Sequence, residues 1–339
     1  MTAARTPTIH DVARAARVSI TTVSHALNGK GTVSAETRAR VQEVAARMNY
    51  RADALARGLR RAPLGALGVI IRPLDVQMAY QPEGVDIFLQ VASAASAAAL
   101  DRGLGTMLLP DITRTPAPPL SLSLDGYIVM DPTLDDPALA LLSSRGLPYV
   151  TLGTDPTAPG AAHCVTTDAT AMATLLDDLR SRGARRLVLI AGTGRHSWTL
   201  DNVTAFQAWC AAHDIEPRMR TLAEEAGVEG ARALVPAILE EGSVDAIVAL
   251  TGRHAAGAAA GLLEAGLRIP ADTMVVAASD SAQTRFGRPA ISALEHPHRE
   301  IGNALVEMLH DIISGRPPEA PTVLQTIYRR RASTARDVV

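Results

Sequence analysis

Apolar residues recur along this chain with two different rhythms. In residues 8–50 they form three clusters at helical spacing: Ile9, Val12, Ala13 and Ala16; Val23, Ala26 and Leu27; Val41, Val44, Ala45 and Met48. Side chains three and four apart share one face of a helix, so each cluster predicts a short amphipathic helix. The capping residues agree. Thr8-Ile9-His10-Asp11 fits a capping box with Asp in place of Glu, Ser19 can cap the second helix, and Ser34-Ala35-Glu36-Thr37 opens the third. With only Ala16-Arg17-Val18 between the first two, the pattern predicts a helix-turn-helix around one small aliphatic core.

From Ala66 the rhythm changes to short apolar runs alternating with Ala/Leu-rich helical stretches, the pattern of parallel sheets covered by helices. Strands are expected at Leu67–Ile71, Thr106–Leu109, Gly126–Met130, Tyr149–Leu152, Leu187–Ala191, Asp245–Leu250, Met274–Ala278 and Ile291–Leu294. Helices are expected around 84–102, 136–145, 168–182, 201–213, 227–241, 253–265 and 298–313. Periodicity alone allows either one eight-stranded barrel or two doubly wound lobes.

Composition bounds this picture. At 339 residues the chain exceeds one ordinary core, so two or three folding units are expected. Hydrophobic residues at 47% and aromatics at 3% imply aliphatic cores and argue against overall disorder. No apolar run reaches the length of a membrane span and the first residues lack a signal-peptide core, so a cytoplasmic protein without membrane contact is expected. Cys164 and Cys210 are too few for a disulfide framework or a zinc site and read as buried thiols.

Charge separates the two regions further. Residues 1–61 carry eleven Arg or Lys against four acids, a charge of +7, so a net charge of −2 leaves −9 on the rest. A basic head on an acidic body suggests that the head meets a polyanion. In a helix-turn-helix the start of the second helix enters the major groove. There Ile20, Thr21, Thr22, Ser24 and His25 are expected to face outward. Ser19, Thr22 and Ser24 suit phosphates, Thr21 and His25 suit base edges, and Ile20 suits a thymine methyl. A three-helix interaction domain whose hydroxyls only cap helices is the alternative, but it does not explain the outward cluster.

Residues 8–60, from Thr-Ile-His-Asp-Val-Ala through Val-Ser-Ile-Thr-Thr-Val-Ser-His-Ala-Leu-Asn and Val-Ser-Ala-Glu-Thr-Arg to Met-Asn-Tyr and beyond, resemble the DNA-binding headpiece of the lactose-repressor (LacI–GalR) family. The resemblance implies base readout by Ile20, Thr21 and His25. It implies phosphate contacts by Ser19, Thr22, Ser24, Asn28, Thr32, Ser34 and Thr37. The family usually has Arg where this chain has His25, and an imidazole cannot grip guanine bidentately, so an altered operator preference is expected at that base. Arg51 to Arg60 resembles the family's hinge helix, which forms on DNA. By that match Leu59 wedges between base pairs and Ala56 permits close approach to the minor groove.

The resemblance continues into the body through Leu124-Asp125-Gly126-Tyr127-Ile128, Leu147-Pro148-Tyr149-Val150, Val165-Thr166-Thr167-Asp168, Ala265 to Asp272, and Arg331-Ala332-Ser333-Thr334. It implies an α/β fold: a three-helix helix-turn-helix head plus hinge helix, followed by a two-lobed periplasmic-binding-protein-like body of doubly wound parallel sheets. The expected division is head 1–51, hinge and linker 52–65, and body 66–339. Its first lobe spans about 66–164 and 293–334, the second about 165–292. The chain is expected to cross between lobes three times, its last helix and strand returning to the first lobe. A small-molecule effector is expected in the cleft at the strands' carboxyl ends, lined by Arg72, Asp168, Trp198, Asn202, Thr251, Ser279 and Asp280.

Departures from the family pattern bear on that effector. Asn202 stands where sugar- and purine-binding members carry Arg, Thr251-Gly252 where they carry Asn-Asp, and Ser279-Asp280 where they carry Asp-Asp. A typical sugar is therefore poorly supported. Trp198 either stacks on an apolar ligand face or closes the mouth of a cleft that has lost its effector, and Arg72 suits a carboxylate or phosphate.

Enzyme chemistry finds no support. Gly192-Thr193-Gly194 is at most half of a dinucleotide-binding turn, no nucleophile elbow or zinc-protease motif occurs, and the histidines lack ligand spacing. Neither a cofactor nor a metal is expected. The preferred reading is a homodimeric repressor of a palindromic double-stranded DNA operator, the dimer being expected because only five residues follow Thr334. A regulator without effector response, a transport binding protein and a Rossmann-like enzyme are the alternatives.

Overall fold

The structure is a computed structural model and describes residues 9–28, 33–48, 63–71, 86–114 and 120–336. The chain separates into two compact units, Met1–Leu64 and Gly65–Val339. The hinge segment that includes Ala56 and Leu59 lies outside the described residues, as do Thr8, Thr32 and Arg72.

In the head, α1 (Ile9–Ala16), α2 (Ile20–Asn28) and α3 (Ala35–Arg47) enclose a core of Val12, Ala13, Ala16, Val23, Ala26, Val41, Val44 and Ala45. The first turn closes at Arg17, whose φ of 53° lies in the left-handed region, and the Val18 amide donates to the Ala13 carbonyl at 3.1 Å. Ser19 ends this turn. Its hydroxyl accepts the Thr22 amide at 3.0 Å, and Ser34 accepts the Thr37 amide at 3.2 Å, so both caps satisfy helix-end donors that would otherwise lack partners.

The body holds two six-stranded sheets. The first comprises β1 (Ala66–Ile70), β2 (Gly105–Leu109), β3 (Gly126–Met130), β4 (Tyr149–Leu152), β5 (Cys164–Thr167) and β11 (Thr322–Leu324), in the order β11-β5-β4-β3-β1-β2. The second comprises β6 (Leu187–Ala191), β7 (Arg218–Thr221), β8 (Ala246–Ala249), β9 (Met274–Ala277), β10 (Ser292–Glu295) and β12 (Ile327–Arg329), in the order β12-β10-β9-β8-β6-β7. Every pairing is parallel except β10 with β12, where Leu294 faces Tyr328. The central strands β3, β6, β8 and β9 are buried throughout, as helix-covered parallel strands require.

On the first sheet, α4 (Asp86–Asp101) and α11 (His298–Ile313) share a core with β1, β3 and β4, while α5 (Pro137–Ser144) follows β3. On the second, α6 (Ala171–Ser181) and α7 (Ser197–Ala212) cover one face through Leu175, Leu179 and Phe206. The other face packs on α8 (Gly227–Glu240) and α9 (Gly252–Glu264) through Val235, Ala258 and Leu262, and short α10 (Ala282–Phe286) follows β9. Cys164 and Cys210 are buried free thiols, and burial pushes Cys210 up to about 11. No described helix is long and apolar enough to cross a membrane.

The chain passes between the sheets three times: from β5 to α6, from β10 to α11 and from β11 to β12. Two details correct the expected lobes. Strand β5 still belongs to the first sheet, and β10 and β12 belong to the second, so only α11 and β11 return to the first lobe. Leu294 draws β10 into the second core, and Tyr328 on β12 packs against that core while its hydroxyl donates to Asp178 at 3.1 Å. Strands β5, β7, β11 and β12 were not anticipated. They are short, and all but β5 are edge strands carrying exposed or polar positions, which weakens their apolar signal.

Candidate functional site

The head presents the first turn of α2 as its polar face. Ser19 and Thr21 are exposed, Thr22, Ser24 and His25 are half-buried, and the Ser19 and Thr22 hydroxyls lie 2.8 Å apart. Ser34 and Thr37 repeat this arrangement at the start of α3, with hydroxyls 2.9 Å apart. Two helix N-termini thus carry exposed hydroxyls beside their positive ends, a chemistry suited to phosphates. Ile20 departs from its expected outward position: it is half-buried and packs against the head core, because it sits on the same side of α2 as Val23. The Asn28 side chain lies outside the described residues.

In the body a cavity of about 630 Å³ opens between the carboxyl ends of the two sheets, where the loops of parallel strands converge. Asp168, Trp198, Asn202, Thr251, Ser279 and Asp280 all line it. Asp168 follows β5 and accepts both the amide and the hydroxyl of Thr170, at 2.9 and 2.7 Å, which hold its carboxyl below the usual range. Asn202 donates to the Trp198 carbonyl at 2.8 Å, and Thr251 caps α9 by accepting the His254 amide at 3.2 Å.

Asp280 borders the cavity, but its carboxylate faces inward to protein partners. Arg331 donates to both oxygens at 2.8 Å, Arg285 donates at 2.9 Å and the Thr284 hydroxyl at 2.5 Å. Burial pushes this carboxyl upward, yet these donors overcome it and hold it at about 2. Asp280 therefore fastens the C-terminal segment to the second lobe.

Sequence reasoning missed a set of groups that join the lobes across the cleft. Asp131 follows β3 with a φ of 49°, and one of its oxygens lies 2.7 Å from Nδ1 of His196. The other accepts the Ser197 hydroxyl at 3.0 Å and the Trp198 amide at 3.1 Å. Helix α7 lacks a cap of its own, since His196 makes no side-chain capping bond, and a carboxylate from the opposite lobe serves instead. Backbone contacts flank this join: the Ser197 amide donates to Pro132 at 3.0 Å and the Leu134 amide to Arg195 at 3.2 Å. Beyond it, Thr154 of the first lobe hydrogen-bonds Asp201 of the second.

Glycines make room for this arrangement. A Cβ on Gly153, where φ is +87°, would lie 2.5 Å from the Ser197 hydroxyl. At Gly192 and Gly194 a Cβ would collide with the Glu224 carboxylate and the His196 ring. Gly192-Thr193-Gly194 thus admits side chains rather than a nucleotide. His196 Nε2 lies 3.9 Å from Glu224, completing a line of Asp131, His196 and Glu224 along the cleft wall. The signal for Asp131 was the same as for Asp168, an acid directly after a strand's carboxyl end.

Comparison with known proteins agrees with both units. Residues 8–53 match the model of bacterial regulatory proteins of the lacI family, and residues 176–334 match the periplasmic binding protein-like domain. Catabolite control protein A of Staphylococcus xylosus is 26% identical over 325 residues, which cover 94% of this chain and 96% of that protein. The lac repressor dimer bound to operator and the anti-inducer ONPF superposes with a TM-score of 0.78 at 21% identity, over 97% of this chain and 99% of that one. The transcriptional regulator CelR in complex with cellobiose superposes at 0.66 and 21% identity, over 96% and 99%. With the helix-turn-helix head and the two-sheet body in place, this chain joins a lacI-family DNA-binding domain to a periplasmic binding protein-like body, the composition of a DNA-binding transcriptional regulator.

Proposed function

We propose that this protein is a homodimeric repressor that binds a palindromic operator and responds to a small molecule held between its lobes. The observation that carries the reading is the first turn of α2, where Ser19, Thr21 and Thr22 crowd the helix start of a basic head. Thr21 and His25 read base edges, while Ser19, Thr22, Ser24, Asn28, Thr32, Ser34 and Thr37 hold phosphates. Two heads on one dimer meet two half-sites, so the operator mirrors the protein's two-fold symmetry. Leu59 and Ala56 act at the central step, where a leucine wedge kinks DNA.

An effector works through the cleft. Asp168, Trp198, Asn202, Thr251 and Ser279 line the cavity on both sides, so a ligand there contacts both lobes. The Asp131–His196 join is a contact whose making or breaking sets the lobe angle. To regulate, the effector must bind the DNA-competent and incompetent arrangements with different affinity.

Selection of bound DNA from random sequence by the purified full-length protein tests this reading. A palindrome with a central pyrimidine–purine step is expected, bound with a steep loss of affinity as salt rises. His25→Arg is expected to change preference at one symmetric pair of bases. If no sequence is enriched, the operator-binding reading fails.

A further inference from the structure

The polar groups of the cleft limit the chemistry of whatever binds there. A polyol needs many donors and acceptors that the wall leaves open, and several of this wall's polar groups are already engaged. Asp280 is taken up by Arg331, Arg285 and Thr284, Asp168 by its own turn, Asn202 by the Trp198 carbonyl, and Thr251 by the start of α9. His296 donates from Nε2 to the Ala278 carbonyl at 3.1 Å, and burial pushes its pKa down to about 4, so it stays neutral at pH 7. Hydroxyls placed against such groups lose water without regaining equivalent bonds.

An anion fares no better. The start of α7, which would attract one, is already occupied by the Asp131 carboxylate. Asp131, Asp168, Asp201, Glu224 and Asp280 all line the cavity, and the only guanidinium among the described lining residues is Arg253, which is itself engaged. Asp280 is neutralised by Arg331 and Arg285, but the other four acids leave the described part of the wall with more negative than positive charge.

What the wall does offer is apolar surface and, one helical turn after Trp198 on α7, the carboxylate of Asp201. Trp198 packs half-buried at the cavity's edge, with Phe88, Ile87, Met172 and Leu152 on the other walls. Asp201 keeps part of its surface in water, yet burial and the neighbouring Asp131 charge raise its carboxyl, with only the Thr154 hydroxyl bond opposing them. A cation beside it would relieve that repulsion.

Resting on the reading of the cleft as an effector site, we propose that its ligand is an apolar, ring-bearing amine, its ring against Trp198 and its ammonium at Asp201, bound in preference to polyols and anions. The cavity volume suits one such molecule.

Calorimetric titration of the full-length protein with tryptamine, indole-3-acetate and cellobiose tests this. The first two share a ring and carry opposite charges, and the third is a polyol. Saturable tryptamine binding is expected, at least ~10-fold tighter than indole-3-acetate, with no cellobiose binding. Asp201→Asn is expected to weaken tryptamine about tenfold while leaving neutral indole unchanged, and Trp198→Ala to weaken both. Thermal unfolding of each variant confirms that it folds. Tighter binding of cellobiose or indole-3-acetate, an Asp201→Asn protein that binds tryptamine normally, or no saturable binding at millimolar tryptamine would each overturn the proposal. If DNA selection still yields a palindrome, only the ligand class falls; if it yields none, the regulator reading falls whichever compound binds.

Discussion

The face of α2 and the wall of the cleft are built from similar residues, hydroxyls and short polar side chains at helix starts, yet they satisfy them in opposite ways. In the head, Ser19 caps Thr22 and Ser34 caps Thr37, each within three residues. In the cleft, the start of α7 is capped by Asp131, 66 residues before Ser197 and in the other lobe. A local cap leaves a helix end self-sufficient and free to present its surface to a partner. A cap borrowed across a cleft makes the helix end depend on how the two lobes sit, so the same chemistry becomes a conformational constraint.

The sharpest way to break the comparison is to destroy the self-sufficient side alone. Val23→Asp places a carboxylate at a fully buried position of a core of eight residues, which costs at least ~3 kcal/mol. DNA binding is expected to vanish while the main calorimetric transition of the body stays unchanged. A concurrent loss of body stability would show that the two units are not independent.

Acid separates the regions by a different route. Burial pushes His254 and His296 down to about 4, with the Arg253 charge acting further on His254 and the His298 charge on His296. Between that value and the ordinary 6.5 the unfolded chain binds more protons, so stability falls as pH drops through this window. From pH 7 to pH 5 each imidazole is expected to cost the body about 2 kcal/mol, read as a lowered denaturation midpoint. Replacing either histidine with Gln should flatten the slope, and an unchanged slope would place the proton uptake elsewhere.

Asp131→Ala removes the carboxylate that holds His196, Ser197 and Trp198 across the cleft. A loss of about 1–2 kcal/mol is expected, together with a larger radius of gyration of the body in solution scattering. A stability loss without any expansion would mean that Asp131 caps α7 but does not hold the lobes together. Ser19→Ala should have the smallest effect on stability, about 1 kcal/mol in the head. Ser19→Asp keeps the cap and adds negative charge, so it is expected to restore stability but weaken DNA binding. If both variants bind DNA normally, Ser19 touches no phosphate.

How far each region could be read in advance follows the same division. The three head helices, the caps at Ser19 and Ser34 and the apolar faces that meet in the core were legible because helical spacing and capping act within a turn or two of sequence, although Ile20 turned inward once the three helices packed. The alternation of strands and helices was legible in the body for the same reason. Asp168, Trp198, Asn202, Thr251, Ser279 and Asp280 were identified as cleft residues from strand ends and family resemblance, and they do line one cavity. Their partners were not legible: nothing local ties Asp280 to Arg331, 51 residues away, or marks Gly153 as the residue that lets Ser197 approach.

Residue order alone therefore settles that this is a basic three-helix head followed by helix-covered parallel sheets, since helical spacing, capping hydroxyls and apolar runs act over short stretches of chain. Tertiary structure decides which lobe β10 and β12 join, which carboxylates are already paired, and that Asp131 reaches across to α7. Those outcomes depend on how distant segments compete for the same hydrogen-bond donors in a space largely closed to water, where an unpaired charge is costly and a paired one is fixed in place.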